Sequence, residues 1–290
     1  NMVENTFGIS PVISGAVITV LTGLVILGGV KSIAKVCEKL VPFMAGFYII
    51  GCIIILFLNG SYVLPALKLI VTSAFTPQAA GGGFIGSTVM MAIRFGIARG
   101  LFTNESGLGS APIVDAAAVT RNPVRQGLIA MTGVFWDTII VCALTGLVLV
   151  SSILKNPESL AGLTGGALSS AAFASIPVVG PIVLTVGLIC FAWSTILGWS
   201  YYGERCWVYL CGQKAIMPFR IIYTLVVFVG SVMTLDAVWG IADILNACMA
   251  FPNLIALLGL SGVIVAETKK YLFSDNMDGW SDDEIPVVDK

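Results

Sequence analysis

Three observations predict an all-α polytopic membrane protein. The 290 residues are 57% hydrophobic and 11% charged, against about 25% charged for a soluble domain, with a mean hydropathy of +0.98. The apolar residues gather in stretches long enough to cross a bilayer, about twenty residues each. Lysines and arginines fall on alternate connections between them. Helices are the predicted spanning form because each satisfies its own backbone hydrogen bonds in lipid. A formal net charge of −1 gives no electrostatic case for nucleic acid. The sequence has no His, so the commonest general base and metal ligand is absent. The seven cysteines lack metal-ligand spacing and read as packing residues.

In chain order, residues 11–30 form a first span. Lys31, Lys35 and Lys39, with Glu38, lie on a short amphipathic connector before a second span at 41–58. Asn59–Gly60 marks a turn. Residues 62–75, apolar but too short to cross and containing Pro65, read as an interfacial or re-entrant helix. A flexible 78–83 leads into a broken third span. Residues 120–125 are a polar loop, and 127–150 are a fourth span holding Trp136 and Asp137. The Gly-, Ala- and Ser-rich 151–175 reads as a long external loop, 176–202 as a fifth span and 219–234 as a sixth. Residues 237–266 would measure about 45 Å as one helix and count as a seventh span, with Pro252–Asn253 offering a break or a bend. Residues 1–267 are then a transmembrane region, and 268–290 a polar cytoplasmic tail, disordered toward its end. The chain opens on Asn1–Met2–Val3–Glu4 with no basic n-region, so a signal peptide is not expected, and a missing N-terminal part is.

Orientation follows from charge. Lys31, Lys35, Lys39, Arg121, Arg125, Arg205, Lys214, Arg220, Lys269 and Lys270 fall on one side, and Lys68 and Lys155 on the other. The basic side is expected to be cytoplasmic.

The third span is the unusual one. Residues 96–118 read GIARGLFTNESGLGSAPIVDAAA, carrying Arg99, Glu105 and Asp115 inside an apolar sequence. Helix is expected over 82–97 and 110–119. Between them, Gly100, Gly107 and Gly109 with residues 103–106 are poor helix formers. Irregular backbone at membrane depth is tolerated where it lines a cavity, and broken helices of this kind hold substrate and ion in secondary transporters. The N-terminus of the inner half, near residues 109–111, offers N–H groups to a carboxylate. The carbonyl end near 99–101 suits an ammonium or a cation. Asn104 and Ser106 offer neutral hydrogen bonds, Gly107 close backbone approach, and Phe102 an apolar wall. Arg99 and Glu105 read as a structural ion pair, since a lone charge at this depth is costly. Arg94 reads as structural, and Asp115 as a partner of Arg121 or Arg125. In the fifth span, Ser194, Thr195 and Trp199 stand close together, and Thr195 and Trp199 share a face. Adjacent hydroxyls there have two uses: ligating a cation, or bonding back to the preceding turn. Tyr201 and Tyr202 read as interfacial belt residues.

The 96–118 string resembles the signature of the alanine or glycine:cation symporter family. FAWSTILGWSYYGERC, residues 191–206, resembles a second block of that family, and LVPFMAGFYI a weaker one; the resemblance runs from about Phe7 to Tyr271. It implies a leucine-transporter-type fold of two inverted repeats, of which about seven spans with one broken helix would be present here. The last two helices of repeat one would precede repeat two, and the first broken helix would lie in the missing N-terminal part. It implies symport of a small neutral amino acid with sodium as co-substrate and no other cofactor or metal, in the cell membrane. Ser194 and Thr195 would be cation ligands, and Phe102, Asn104, Ser106, Gly107, Thr195 and Trp199 would border substrate. The indole of Trp199 would restrict side-chain size toward alanine or glycine. Another cation-coupled amino-acid carrier is the alternative. An ion channel lacks support from any carbonyl-filter or charged-ring sequence, and an enzyme from any catalytic spacing.

Overall fold

The computed structural model describes residues 2–75, 96, 99–120, 122–160, 162–163, 165–233, 235–274, 277 and 279. Among these every regular element is helical. The outer half of the broken span (82–97), the 78–83 linker, Arg94 and the end of the tail lie largely or wholly outside the described residues.

Helix α1 (Met2–Phe7) leads to α2 (Pro11–Leu27), which starts on Ser10. The Ser10 side chain accepts the Ile13 N–H and Pro11 occupies the first turn, where its missing N–H costs nothing. Gly28 and Gly29 end α2, Gly29 in the left-handed region at φ +74°. The chain re-enters helix at once as α3 (Gly29–Leu58, 30 residues). The expected separate connector is therefore the first turns of α3 itself, because 31–41 holds strong helix formers and no stop signal before Pro42. Helix α4 (Gly60–Phe75) has 16 residues around Pro65.

After the interrupted segment come α5 (Ala111–Asp115) and α6 (Pro123–Val134). A π-helix over Phe135–Cys142 runs straight into α7 (Ala143–Lys155). The expected external loop is largely helical: α7 extends to Lys155, followed by α8 (Pro157–Leu160) and α9 (Gly165–Phe173). Its alanines are strong helix formers, and Pro157 opens α8 in a position that needs no N–H. Helix α10 (Val179–Cys211) is 33 residues long, and α11 covers Ile216–Val232. Helix α12 (Leu235–Gly259) passes through Pro252 without ending, as apolar spans allow. The break falls at Leu260, before α13 (Ser261–Tyr271).

Among the described residues five helices are long and apolar enough to cross a membrane: Gly29–Leu58, Pro123–Lys155, Val179–Cys211, Gln213–Val232 and Val238–Gly259. Helix α2 is apolar but shorter. The chain divides into two compact units, residues 1–96 with 139–239, and 97–138 with 240–290.

In the first unit α2 packs on α11, and α3 on α10 and α7. Small residues allow these close approaches. A Cβ on Gly15 would stand 2.1 Å from Ser231 Oγ, and one on Gly51 2.7 Å from Val183. Tyr48, Cys52, Ile55, Val148, Phe173, Val183 and Leu184 form the core. Tyr48 stacks on Phe173 with ring centroids 5.7 Å apart, and its hydroxyl lies 2.8 Å from Thr145 Oγ1. In the second unit α6 packs against α5 and α13.

Candidate functional site

The candidate residues fall into both units.

In the second unit, residues 99–103 are helical and end in a Schellman arrangement. The Ser106 N–H reaches back to the Leu101 carbonyl at 3.0 Å, and the Glu105 N–H to Phe102 at 3.1 Å. That closure requires a left-handed residue, a place usually held by glycine. Here Glu105 takes it at φ +53°, followed by Gly107 at +79° and Gly109 at +80°. Three left-handed residues in five stop the helix and turn the chain, so the predicted interruption is present at 104–110. A Cβ on Gly109 would stand 2.9 Å from Asn253 Oδ1 of α12.

The side chains fix this turn in place. Asn104 Oδ1 accepts from the Thr138 hydroxyl at 2.6 Å, tying the loop to the π-helix. Arg99 meets Asp243 of α12 at 3.1 Å, a carboxylate the sequence reading did not single out. Its signal was available: Asp243 is an acid inside an apolar span, which calls for a partner. Glu105 accepts from the buried Ser110 hydroxyl at 2.9 Å. Phe102 is half-buried, and Ser106 is exposed. Asp115 accepts from the Gln126 amide at 2.8 Å; Arg121, one of its two expected partners, lies outside the described residues. The inner half-helix is shorter than expected: α5 ends at Asp115, and residues 116–119 are turns. Five residues sum too few peptide dipoles for the helix-end anion site expected near 109–111.

In the first unit, Ser194 and Thr195 both donate to the Phe191 carbonyl, at 3.0 and 2.8 Å. Back-bonding is thus the use their hydrogens have. It leaves the oxygen lone pairs available, so the same geometry presents two hard donors to a cation. Thr195 is exposed and Trp199 half-buried one turn away, the indole in edge contact with Tyr202 at 5.6 Å. Tyr201, expected in an interfacial belt, is instead 8% exposed, under the Arg205 guanidinium at 4.9 Å. The first unit also holds a buried ion pair that sequence reasoning missed. Arg220 Nε and Nη2 meet the two Glu204 oxygens at 2.6 and 3.2 Å.

The family model of the sodium:alanine symporter family matches residues 1–283. A transporter of Haemophilus influenzae is 51% identical over 97% of this chain and 62% of its own length. The sodium/alanine symporter AgcS of Methanococcus maripaludis is 51% identical over 93% of this chain and 58% of its own. A Bacillus subtilis protein named "probable sodium/glutamine symporter GlnT" is 35% identical over 92% and 55%. The chain spans about three fifths of the length of the curated relatives it matches.

Proposed function

The chain belongs to the sodium:alanine symporter family, a family of transporters, and from that premise we propose that it performs sodium-driven symport of a small neutral amino acid, alanine or glycine, by alternating access. The observation that carries the reading is the interruption at 104–110. Three left-handed residues open the backbone there inside an apolar sequence, and Asn104 and Glu105 are each held by a neighbouring hydroxyl. Such irregular backbone is compatible with lipid only against protein or a cavity. We propose a leucine-transporter-type fold with seven crossings: the five long helices, α2, and the broken span. The tail is cytoplasmic in this reading. Alanine takes precedence over glutamine because the 51% relative is named for it and the glutamine relative stands at 35%.

In this reading Phe102, Asn104, Ser106 and Gly107 border the substrate from the loop, and Thr195 and Trp199 from α10. Ser194 and Thr195 supply oxygens to sodium. Arg99 and Glu105 hold the loop in shape.

Radiolabelled alanine uptake by the reconstituted carrier, with sodium, lithium and choline gradients compared, tests the reading. Uptake is expected only with sodium, and equal uptake in choline would overturn it. Ser194→Ala and Thr195→Ala should raise the sodium concentration for half-maximal uptake about ten- to a hundredfold, the loss of one contact to a charged partner. Alanine affinity should fall only at limiting sodium, because coupling between two ligands is reciprocal. Replacing Trp199 by Ala should admit glutamine while the sodium dependence stays nearly unchanged.

A further inference from the structure

The N-terminal third of α3 carries three lysines with no ion pair among the described residues. Helix α3 has 30 residues, about 45 Å, whereas the hydrocarbon core is about 30 Å thick. Roughly ten residues must therefore lie outside the core, and Lys31, Lys35 and Lys39 occupy that excess. Their four-residue spacing puts them on one stripe, and all three are exposed. The opposite side of the same turns packs inward through Ile33, 9% exposed. Glu38 borders the stripe, leaving it a surplus of two positive charges.

Three other cations of this unit have structural work. Arg220 and Arg205 meet Glu204, and Lys155 donates to the Leu58 carbonyl and to Asn59. Among the described residues Lys31, Lys35, Glu38 and Lys39 have no ion pair. The macrodipole does not account for Lys31, because positive charge in the first turn of a helix opposes it. An external anion at the membrane surface relieves both the repulsion within the stripe and that opposition.

We propose that Lys31, Lys35 and Lys39 form a binding stripe for the headgroups of anionic phospholipid in the leaflet that surrounds the start of α3. Their alkyl stems lie along the membrane boundary while the ammonium groups reach the phosphates. The inference rests on α3 crossing the membrane and is independent of what the carrier transports.

The test uses the purified carrier in nanodiscs of phosphatidylcholine with increasing phosphatidylglycerol, with retained lipid counted by native mass spectrometry. Wild-type protein is expected to retain phosphatidylglycerol preferentially. A lysine at an anionic surface changes affinity about fivefold, so K31Q/K35Q/K39Q should lower the preference at least tenfold. A34K/K35A keeps the net charge but turns one ammonium off the stripe, and should lower it about fivefold. This second variant perturbs the helix little, so the test does not depend on the triple variant folding. Unchanged retention in either variant would overturn the stripe. So would displacement of the lipid by millimolar inorganic phosphate, since a soluble anion would then be the ligand. Lipid retention is read without uptake, so failure of alanine transport would strike the functional reading and leave this one standing.

Discussion

The Leu27 carbonyl closes α2 at a point where the chain turns through Gly28 and Gly29, and Arg220 takes it up at 3.1 Å. The same guanidinium holds both oxygens of Glu204, with side chains 13% and 6% exposed. One residue thus joins α2, α10 and α11. Removing one partner strands a buried charge and costs about 3–5 kcal/mol, whereas replacing both with apolar groups of similar volume costs far less. Glu204→Leu should therefore lower the thermal unfolding midpoint of the solubilised carrier sharply, and Glu204→Leu with Arg220→Met should recover much of it. An unchanged midpoint in the single variant would mean that water reaches the pair. Val178 is a simpler case. It is β-branched, 77% exposed, and held at φ +65°, ψ −53°. That is the centre of a γ-turn closed by the Val179 N–H on the Pro177 carbonyl at 2.7 Å, a strained conformation costing about 1–3 kcal/mol. Glycine adopts a positive φ without a Cβ clash, so Val178→Gly should raise the midpoint, and a fall would show that the Val178 side chain makes a contact worth more than the strain. That Asp243 needs a partner was legible in the sequence, but which arginine meets Asp243 or Glu204 was not. Glu204 and Asp243 stand 16 and 144 positions from Arg220 and Arg99, and only the fold brings such residues together. The hydroxyl pair at 194 and 195 was legible because both of its possible uses are local.

At the scale of elements, what the sequence made readable was set by how far each signal reaches. The interruption at 104–110 was visible because glycines and charges in an apolar run are a local contradiction. The π-helix was not: Phe135–Cys142 has ordinary helical composition, and its widened turn accompanies the Thr138–Asn104 contact across 34 positions. Of the break or bend expected at Pro252, the break is absent, because in an apolar span neighbouring groups can satisfy the freed carbonyl. Two glycines separate packing from conformation. Gly15 lies in regular helix and is excluded from holding a Cβ by Ser231 alone. Gly15→Ala should destabilise the α2–α11 contact, and Ser231→Gly should restore it. Gly109 faces both a neighbour, Asn253, and a φ of +80°. Gly109→Ala should abolish sodium-dependent uptake, and adding Asn253→Gly should not rescue it. Rescue there would show that space, not backbone conformation, requires the glycine.

Across the whole molecule, charge placement implies an orientation that packing in the first unit makes testable. Lys155 donates to the Leu58 carbonyl, so the end of α7 lies at the far end of α3 from Lys35. Twenty-three residues of helix separate 35 from 58, about 35 Å, more than the hydrocarbon thickness of about 30 Å. Positions 35 and 156 therefore belong on opposite sides of the membrane, and both are exposed. The excess of lysine and arginine on the side of Lys31, Lys35 and Lys39 makes the cytoplasm the expected side. With the native cysteines replaced, a single cysteine at 156 should react with an impermeant maleimide on intact cells. One at 35 should react only after permeabilisation. Labelling at 35 with protection at 156 would invert the orientation while keeping the fold of this unit. Equal labelling at both from outside would mean that α3 does not cross, and would remove the membrane path that the transport reading requires.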